Sequence, residues 1–226
     1  MGTNGLVRPA GELALRVQRP PGPPTIRNIL RGCLPRPGLD PGVAAYRLRN
    51  LRNVWRGLWR LMAARVLGIQ AAAGVLWAVH RTPDGQVREL GCVSCRVVTT
   101  AGVGFIVDAF QNLVELEVMK YHAYGTGTTA EATGDTALVT ELTTEYQTDN
   151  TRVTGSQTEN GANVYRTVAT IDPDADVALT EHAVMSQAAT GGGVCLDRSK
   201  FAAINLTGAA GDTLQTTYDF TITAGG

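Results

Sequence analysis

The sequence predicts a mainly β protein, an antiparallel β-sandwich of jelly-roll-like type with one short packed helix. An extended arm and an amphipathic helix are expected to precede this sandwich. From residue 121 onward, twenty-two of 106 residues are Thr, and Pro173 is the only proline. Thr and Val are stiff at χ1 and suit a pleated surface. Gly, Asn and Asp clusters divide this region into short runs, a spacing typical of sandwiches.

Residues 1–43 are rich in Pro, Gly and Arg. Proline removes a backbone donor and fixes φ, so this composition predicts an extended arm that becomes ordered only against a partner. Its arginines are the expected anchoring residues: Arg8, Arg16, Arg19, Arg27, Arg31 and Arg36.

Residues 44–73 predict a basic amphipathic helix. Apolar residues recur there at alternating spacings of three and four, the rhythm of a helix–helix seam, and arginines occupy the other faces. This seam consists of Leu48, Leu51, Trp55, Leu58 and Met62. Three interpretations compete: packing on the chain's own domain, a short coiled-coil seam, and a helix that binds nucleic acid or membrane. Packing or oligomerisation is favoured.

Residues 74–226 predict the sandwich. Pro83-Asp84-Gly85 between two apolar runs predicts a hairpin, because Pro presets φ and Gly supplies a positive φ. The run 103–113 predicts a packed helix with Phe105, Ile106, Ala109, Phe110 and Leu113 in the core. Five further strands are expected at 152–158, 164–171, 177–185, 194–201 and 213–222.

Charge is divided sharply along the chain. Residues 1–100 contain fifteen Arg and four acids, a balance of 15 − 4 = +11, and residues 101–226 contain five basic and sixteen acidic residues, 5 − 16 = −11. This asymmetry indicates a basic arm beside an acidic body. The arm is expected to dock on protein, since it has no Lys and many prolines. DNA contact is the alternative, and we expect no nucleic-acid partner.

Three local patterns suggest chemistry, and each is better explained by structure. The GTGTT run at 125–129 lacks the following helix and lysine of a phosphate loop, so a turn is favoured. In Thr180-Glu181-His182, adjacent strand residues face opposite sides, so Glu181 is not expected to orient His182. In Cys92-Val93-Ser94-Cys95, residues three apart on a strand diverge, which predicts buried, reduced cysteines. The sequence predicts no cofactor, no metal site and no membrane span.

Several of these segments together resemble a family of bacteriophage virion structural proteins, which includes tail-fibre and head-decoration-like members. The resemblance covers about residues 75–226. Its motifs are GTGTT (125–129), GDTAL (134–138), TEHA (180–183, where Ala183 replaces the family's usual Gly), DRSKF (197–201) and GDTLQTTY (211–218). The motif positions are Gly125, Gly127, Gly134, Asp135, Asp197, Arg198, Gly211 and Asp212.

The resemblance implies a non-enzymatic component of the virion, either a tail fibre or a capsid decoration protein. The arm would attach it to neighbouring capsid or tail subunits, and a homotrimer is the usual assembly of such appendages. An alternative is a module that binds a host-surface receptor or glycan through loops such as 125–129 and 191–193.

Overall fold

The chain folds into two antiparallel sheets with three α-helices in the part that the structure describes. A computed structural model describes residues 24–67 and 72–222. The helices are α1 (Ile26–Cys33), α2 (Pro41–Val66) and α3 (Thr100–Phe110). The strands are β1 (Ala72–Arg81), β2 (Val87–Val97), β3 (Tyr121–Gly125), β4 (Val153–Thr154), β5 (Ser156–Glu159), β6 (Val164–Ile171), β7 (Val177–Met185), β8 (Cys195–Leu206) and β9 (Thr213–Ile222).

The two sheets confirm the predicted β-sandwich. The five-stranded sheet, called sheet A, has the order β2-β1-β9-β6-β5, and the four-stranded sheet, called sheet B, has the order β4-β3-β7-β8. The inward faces share one apolar core with residues such as Leu76, Tyr124, Val184 and Phe201. Alternation along the strands explains this, because every second side chain points to the same face.

The two N-terminal helices start at capping residues. Thr25 Oγ1 accepts a hydrogen bond from the N–H of Asn28, and Asp40 Oδ1 accepts one from the N–H of Val43. Pro41 then occupies the first position of α2, where its missing N–H costs nothing. The predicted extended arm is therefore wrong for residues 26–33 and 41–43, which are helical, and α2 ends at Val66 rather than at residue 73.

The arm prediction can be examined only in part. Residues 1–23 lie outside the described residues, and with them Arg8, Arg16 and Arg19. Arg27, Arg31 and Arg36 are exposed around α1. The buried face of α1, which includes Ile29 and Cys33, packs with α2 and the outer face of sheet A. Local composition does not predict this helix, because its stability comes from tertiary burial of two apolar residues and not from the helix propensity of its sequence.

Helix α2 closes the sandwich along one side. It packs against β2 and β8, the edge strands of the two sheets. Asn50 donates from its side-chain amide to the carbonyl of Val93 at 2.8 Å and accepts from the N–H of Ala202 at 2.8 Å. Arg47 donates to the carbonyls of Leu90 and Glu89. These bonds satisfy backbone groups that an edge strand otherwise leaves unpaired.

The approach of α2 to β2 requires a glycine. A Cβ added at Gly57 would collide with the carbonyl oxygen of Cys95. The helix backbone therefore rests directly on the strand, with Val54 and Leu58 buried on either side. Since α2 also contributes Val43 and Tyr46 to the inter-sheet core, it belongs to the same packed body as the strands and not to a separate domain.

The other side of the sandwich is closed by the chain itself. β4 pairs with β3 in sheet B, and β5 pairs with β6 in sheet A, so the chain crosses between the sheets at Gly155. Between β3 and β4, residues 126–152 form a long loop, of which the run predicted as a turn at 125–129 is only the beginning. Leu142 and Tyr146 from this loop enter the core between the sheets.

The predicted strands at 164–171, 177–185 and 213–222 have the observed bounds. The hairpin is also confirmed, with Gly85 at a φ of +83°. The predicted helix at 103–113 is present but starts at Thr100, where the Thr99 hydroxyl caps it. Its predicted core stripe is wrong in part: Phe105 is buried, but Phe110 and Leu113 are exposed because nothing in the described chain covers that side of α3.

Replacing Asn50 by Ala is expected to destabilise the protein by about 2–4 kcal/mol, because it leaves one donor and one acceptor on the sheet edges unsatisfied. Urea unfolding followed by circular dichroism measures this change. Asn53→Ala is the matched control. Asn53 hydrogen-bonds only to the Asn50 side chain in the contacts seen here, so its loss should cost less than about 1 kcal/mol. Equal effects of the two substitutions would contradict the edge-pairing role.

Candidate functional site

The GTGTT loop holds an anion, and that anion is a side chain of the protein. The Glu181 carboxylate accepts hydrogen bonds from the N–H groups of Gly127 at 3.0 Å, Thr140 at 2.8 Å and Val139 at 3.2 Å. A Cβ at Gly127 would collide with this carboxylate. The loop therefore has glycines because its backbone closes around Glu181, and the Gly127 N–H is already occupied by an internal anion.

Arg198 joins three of the motif segments. Its guanidinium donates from Nε to Glu181 Oε2 at 2.8 Å, from Nη1 to Asp135 Oδ2 at 3.0 Å and from Nη2 to the carbonyl of Thr129 at 3.1 Å. Arg198 and Glu181 are almost completely buried. Ala183 lies directly opposite Arg198 in the β7–β8 ladder, and its small side chain leaves the space over the strand to the guanidinium.

We call Gly127, Asp135, Glu181 and Arg198 the loop clamp. It holds residues 126–140 on the outer face of sheet B, where Leu138 packs with Ala123, Ala183 and Met185. The motif positions Gly125, Gly127, Asp135 and Arg198 thus lie together. Gly134 lies in the same loop with open space around it, so no close contact explains that glycine.

Asp197 is the neighbour of Arg198 and points to the other face of β8. It is buried, and the Ser199 hydroxyl donates to its Oδ1 at 3.0 Å. Burial raises the pKa of the Asp197 carboxyl to about 7, although Ser199, Arg96 and Tyr218 all favour its charged form. A carboxyl in this position is protonated through much of the mildly acidic range.

Gly211 and Asp212 form the turn between β8 and β9, far from the loop clamp in the fold. Gly211 has a φ of +90°. Asp212 accepts from the N–H of Thr207 at 2.8 Å, and His80 Nε2 lies 3.4 Å from Asp212 Oδ2. Four of the motif residues therefore lie at the loop clamp, and two form the β8–β9 turn. Gly134 and Asp197 belong to neither group.

His122 and His182 meet between the sheets. Nδ1 of His122 lies 2.9 Å from Nε2 of His182 and 3.1 Å from Thr216 Oγ1, and its Nε2 lies 3.1 Å from Thr167 Oγ1. Burial lowers the pKa of His122 to about 3, and burial together with His122 lowers the pKa of His182 well below its usual range. Both rings are neutral structural groups. Glu181 points away from His182, as strand alternation predicted.

The cysteines lie differently from the prediction. A bulge in β2 places Cys92 opposite Trp77 and Ser94 opposite Leu76, so Val93 is an extra residue. This shift puts Cys92 and Cys95 on the same face, in one apolar cluster with Cys33, and the predicted divergence is wrong. All four cysteines are free and buried. Burial raises the pKa of Cys95 to about 12, which keeps its thiol protonated.

A second buried ion pair was not anticipated from the sequence. Arg166 donates from Nε to Asp219 Oδ1 at 2.7 Å and from Nη2 to Oδ2 at 2.8 Å, and the Trp77 indole donates to the same carboxylate at 3.0 Å. These residues come from three adjacent strands of sheet A. The only signal for them in the sequence was a charged residue inside an otherwise apolar strand pattern.

The five residues predicted as one helix seam do not share a face. Leu58 is buried by the chain's own sheet, and Leu51 and Met62 pack beside the same cluster. Leu48 is 59% exposed and Trp55 is 51% exposed. Trp59 and Val66, which the prediction omitted, are 60% and 86% exposed. We call Leu48, Trp55, Trp59 and Val66 the α2 outer stripe. Arg49, Arg52, Arg56 and Arg60 beside it are exposed.

Among the described residues, no group of three or more His, Cys, Asp or Glu side chains could hold a metal ion. In the same ranges, no helix combines the length and apolar character needed to cross a membrane. No protein-family model and no curated protein matches the chain. The resemblance to virion structural proteins therefore stays a prediction.

Replacing Glu181 by Gln is expected to destabilise the protein by about 3–5 kcal/mol, because it removes the fully buried one of the two carboxylates that pair with the Arg198 guanidinium and leaves only Asp135. Chemical denaturation measures the loss. The control is Glu117→Gln, whose side chain is exposed and which should change stability by less than about 0.5 kcal/mol. A cost for Glu181→Gln as small as that of the control would show that the loop clamp does not hold the loop.

Replacing Asp197 by Asn is expected to raise the free energy of unfolding, relative to that of the wild type, as pH rises. The folded pKa of Asp197 lies above its unfolded value, so its stabilising contribution is complete below the unfolded pKa and is lost as pH rises towards about 7. Asn has no such loss. The variant's unfolding free energy minus that of the wild type should increase between pH 5 and about 7 and then level off, as urea titrations across that range would measure. A pH-independent difference would contradict the raised pKa.

Proposed function

We propose that the chain is a non-enzymatic structural component of a bacteriophage particle, a tail-fibre or capsid-decoration protein. Its N-terminal region attaches it to neighbouring virion subunits. This proposal joins the resemblance described above to the way in which the motif residues are used in the fold.

The α2 outer stripe is the observation that carries the proposal. Two half-exposed tryptophans on one helix expose a large apolar area, and such patches commonly mark protein contacts. Trp and Arg are also the residues that contribute most binding energy at protein interfaces. The opposite face of α2 is fixed to β2 and β8 through Asn50, so the stripe is presented on a rigid support.

The loop clamp supports the same conclusion. Gly125, Gly127, Asp135 and Arg198, four residues of the resemblance, close around Glu181 and one another. Their shared task is to hold a long loop against a sheet. A likeness in these residues is therefore a likeness of architecture, which agrees with a structural role for the protein.

The test is whether the chain is part of purified particles. Particles from the phage that carries the gene are purified on a density gradient and probed with an antibody against the recombinant chain. The chain should co-sediment with particles at a constant ratio to the major capsid protein. A chain that is abundant in infected cells but missing from particles would overturn the proposal.

The double variant Trp55→Ser, Trp59→Ser then tests the α2 outer stripe. Particle incorporation should fall by about tenfold or more, as expected when interface tryptophans are removed. Val87→Ser is the control, since Val87 is a partly exposed apolar residue at the far end of the hairpin. Circular dichroism and thermal unfolding of each purified variant confirm that the fold is kept. Equal incorporation of the two variants would assign attachment to another surface.

A further inference from the structure

An apolar groove of about 910 Å³ opens between α3 and the end of sheet A. Its walls are mostly aromatic or aliphatic: Phe105, Phe110, Met119, Tyr165, Leu196 and Phe220. Phe110 is 83% exposed, and Leu116, also in the lining, is 50% exposed. This volume is within the range of ligand-binding clefts, and its lining suits an apolar occupant.

The groove runs beside a strand with a free edge. β5 is the last strand of sheet A, it pairs only with β6 among the described strands, and its four residues are all exposed. Gln157 and Glu159 lie on the same face as Tyr165, because residues opposite each other in an antiparallel pair share a face. A strand added to β5 would therefore direct alternate side chains into the groove.

The chain contains a segment with the matching pattern. In Leu13-Ala14-Leu15-Arg16-Val17-Gln18, large apolar residues alternate with small or polar ones. This period of two is the pattern of a strand with one apolar face. The flanks of the segment also carry the complementary charge: Arg8 and Arg19 outnumber Glu12, whereas Glu117 and Glu159 line the groove.

The position of α1 favours a groove on another copy. α1 contacts β2, at the opposite edge of the five-stranded sheet from β5. Four of the five residues 20–24 are proline, a composition typical of stiff, extended spacers. To reach its own groove, the segment would have to cross from the β2 edge of sheet A to the β5 edge, whereas the groove of a second copy is not subject to that requirement.

We propose that residues 13–17 of one copy add as a strand to β5 of a second copy, with Leu13, Leu15 and Val17 in the groove. Addition of a strand combines backbone pairing with pockets for alternate side chains. This inference deepens the proposed function, since it names the surface that receives the N-terminal region. It is tested on purified full-length chain, so its failure is distinguishable from absence of the chain from particles.

Site-specific cross-linking locates the segment. A ¹⁵N-labelled full-length chain carries benzoyl-phenylalanine in place of Leu15, is mixed with unlabelled wild-type chain and is irradiated. Mass spectrometry should find the labelled segment joined to unlabelled peptides that contain α3 or β5. Cross-links found only between labelled peptides would place the segment in the groove of its own chain. A cross-link to peptides outside α3 and β5, or no cross-link, would exclude the groove as the binding site. Each of these results overturns the proposal.

Two double variants, each altering one face of the segment, test whether alternate residues enter the groove. Leu13→Lys with Leu15→Lys, and Ala14→Lys with Gln18→Lys, add the same charge but differ in the face that they alter. The first pair should raise the dissociation constant of self-association by about tenfold or more, and the second by less than about twofold, as measured by sedimentation equilibrium. Phe110→Ser should weaken association like the first pair, and Val87→Ser should not. Equal effects of the two lysine pairs would overturn the strand-addition geometry.

Discussion

Pairing of backbone groups at the sheet edges is the constraint on which the rest of the structure depends. Two stacked sheets have four edges, and unpaired N–H and C=O groups at a buried edge cost free energy. Here Asn50 and Arg47 on α2 satisfy groups of β2 and β8, and the chain crosses between the sheets at Gly155 on the other side. Because these polar contacts fix the rotation of α2, they also decide which of its apolar residues face outwards.

Buried ion pairs determine the register of two strands and the shape of one surface loop. Arg198 with Glu181, and Arg166 with Asp219, are ion pairs with little or no solvent exposure. Such pairs add little net stability compared with apolar packing, but losing one partner is costly. A slip of one residue between β7 and β8 would move Arg198 to the opposite face from Glu181, so the pair selects the observed register. The same carboxylate orders the loop at 126–140, which links the register of a sheet to the shape of a surface loop.

The sequence was sufficient for most of the strands and insufficient for what covers them. The run 152–158, predicted as one strand, gives β4 and β5 in different sheets, and β8 extends to Leu206. β6, β7 and β9 could be delimited because Thr, Val and aromatic residues alternate between Gly- and Asp-containing turns. α1 could not, since it is short and prolines flank it on both sides, and its stability comes from burial of Ile29 and Cys33 against β2. The capping signal Asp40-Pro41 lies within the residues whose proline content predicts the arm. The bulge at Val93, which decides where Cys92 and Cys95 point, depends on pairing with β1 and has no local signature.

The partners within the loop clamp illustrate the same limit. That Glu181 and His182 diverge follows from strand geometry alone. That Glu181 meets the GTGTT backbone requires the path of residues 126–140, which no local rule supplies. The two ideas for this loop, a phosphate cradle and a simple turn, were both incomplete. The N–H groups of Gly127, Val139 and Thr140 do bind an anion, but the anion is the Glu181 side chain of β7, and this makes the loop a component of the fold.

The β5 edge differs from the other three sheet edges in how its backbone N–H and C=O groups are protected. At β2 and β8 a helix supplies donors and acceptors, and at β4 the chain continues into the second sheet. β5 is short, polar and exposed, which limits unspecific pairing, yet the groove beside it is apolar. A protein that needed only to stay monomeric would be expected to cover both the free edge of β5 and the apolar groove. A polar strand edge beside an apolar groove instead suits a contact with one complementary segment. A strand that paired with the β5 backbone but had no apolar side chains for the groove would leave the groove surface exposed.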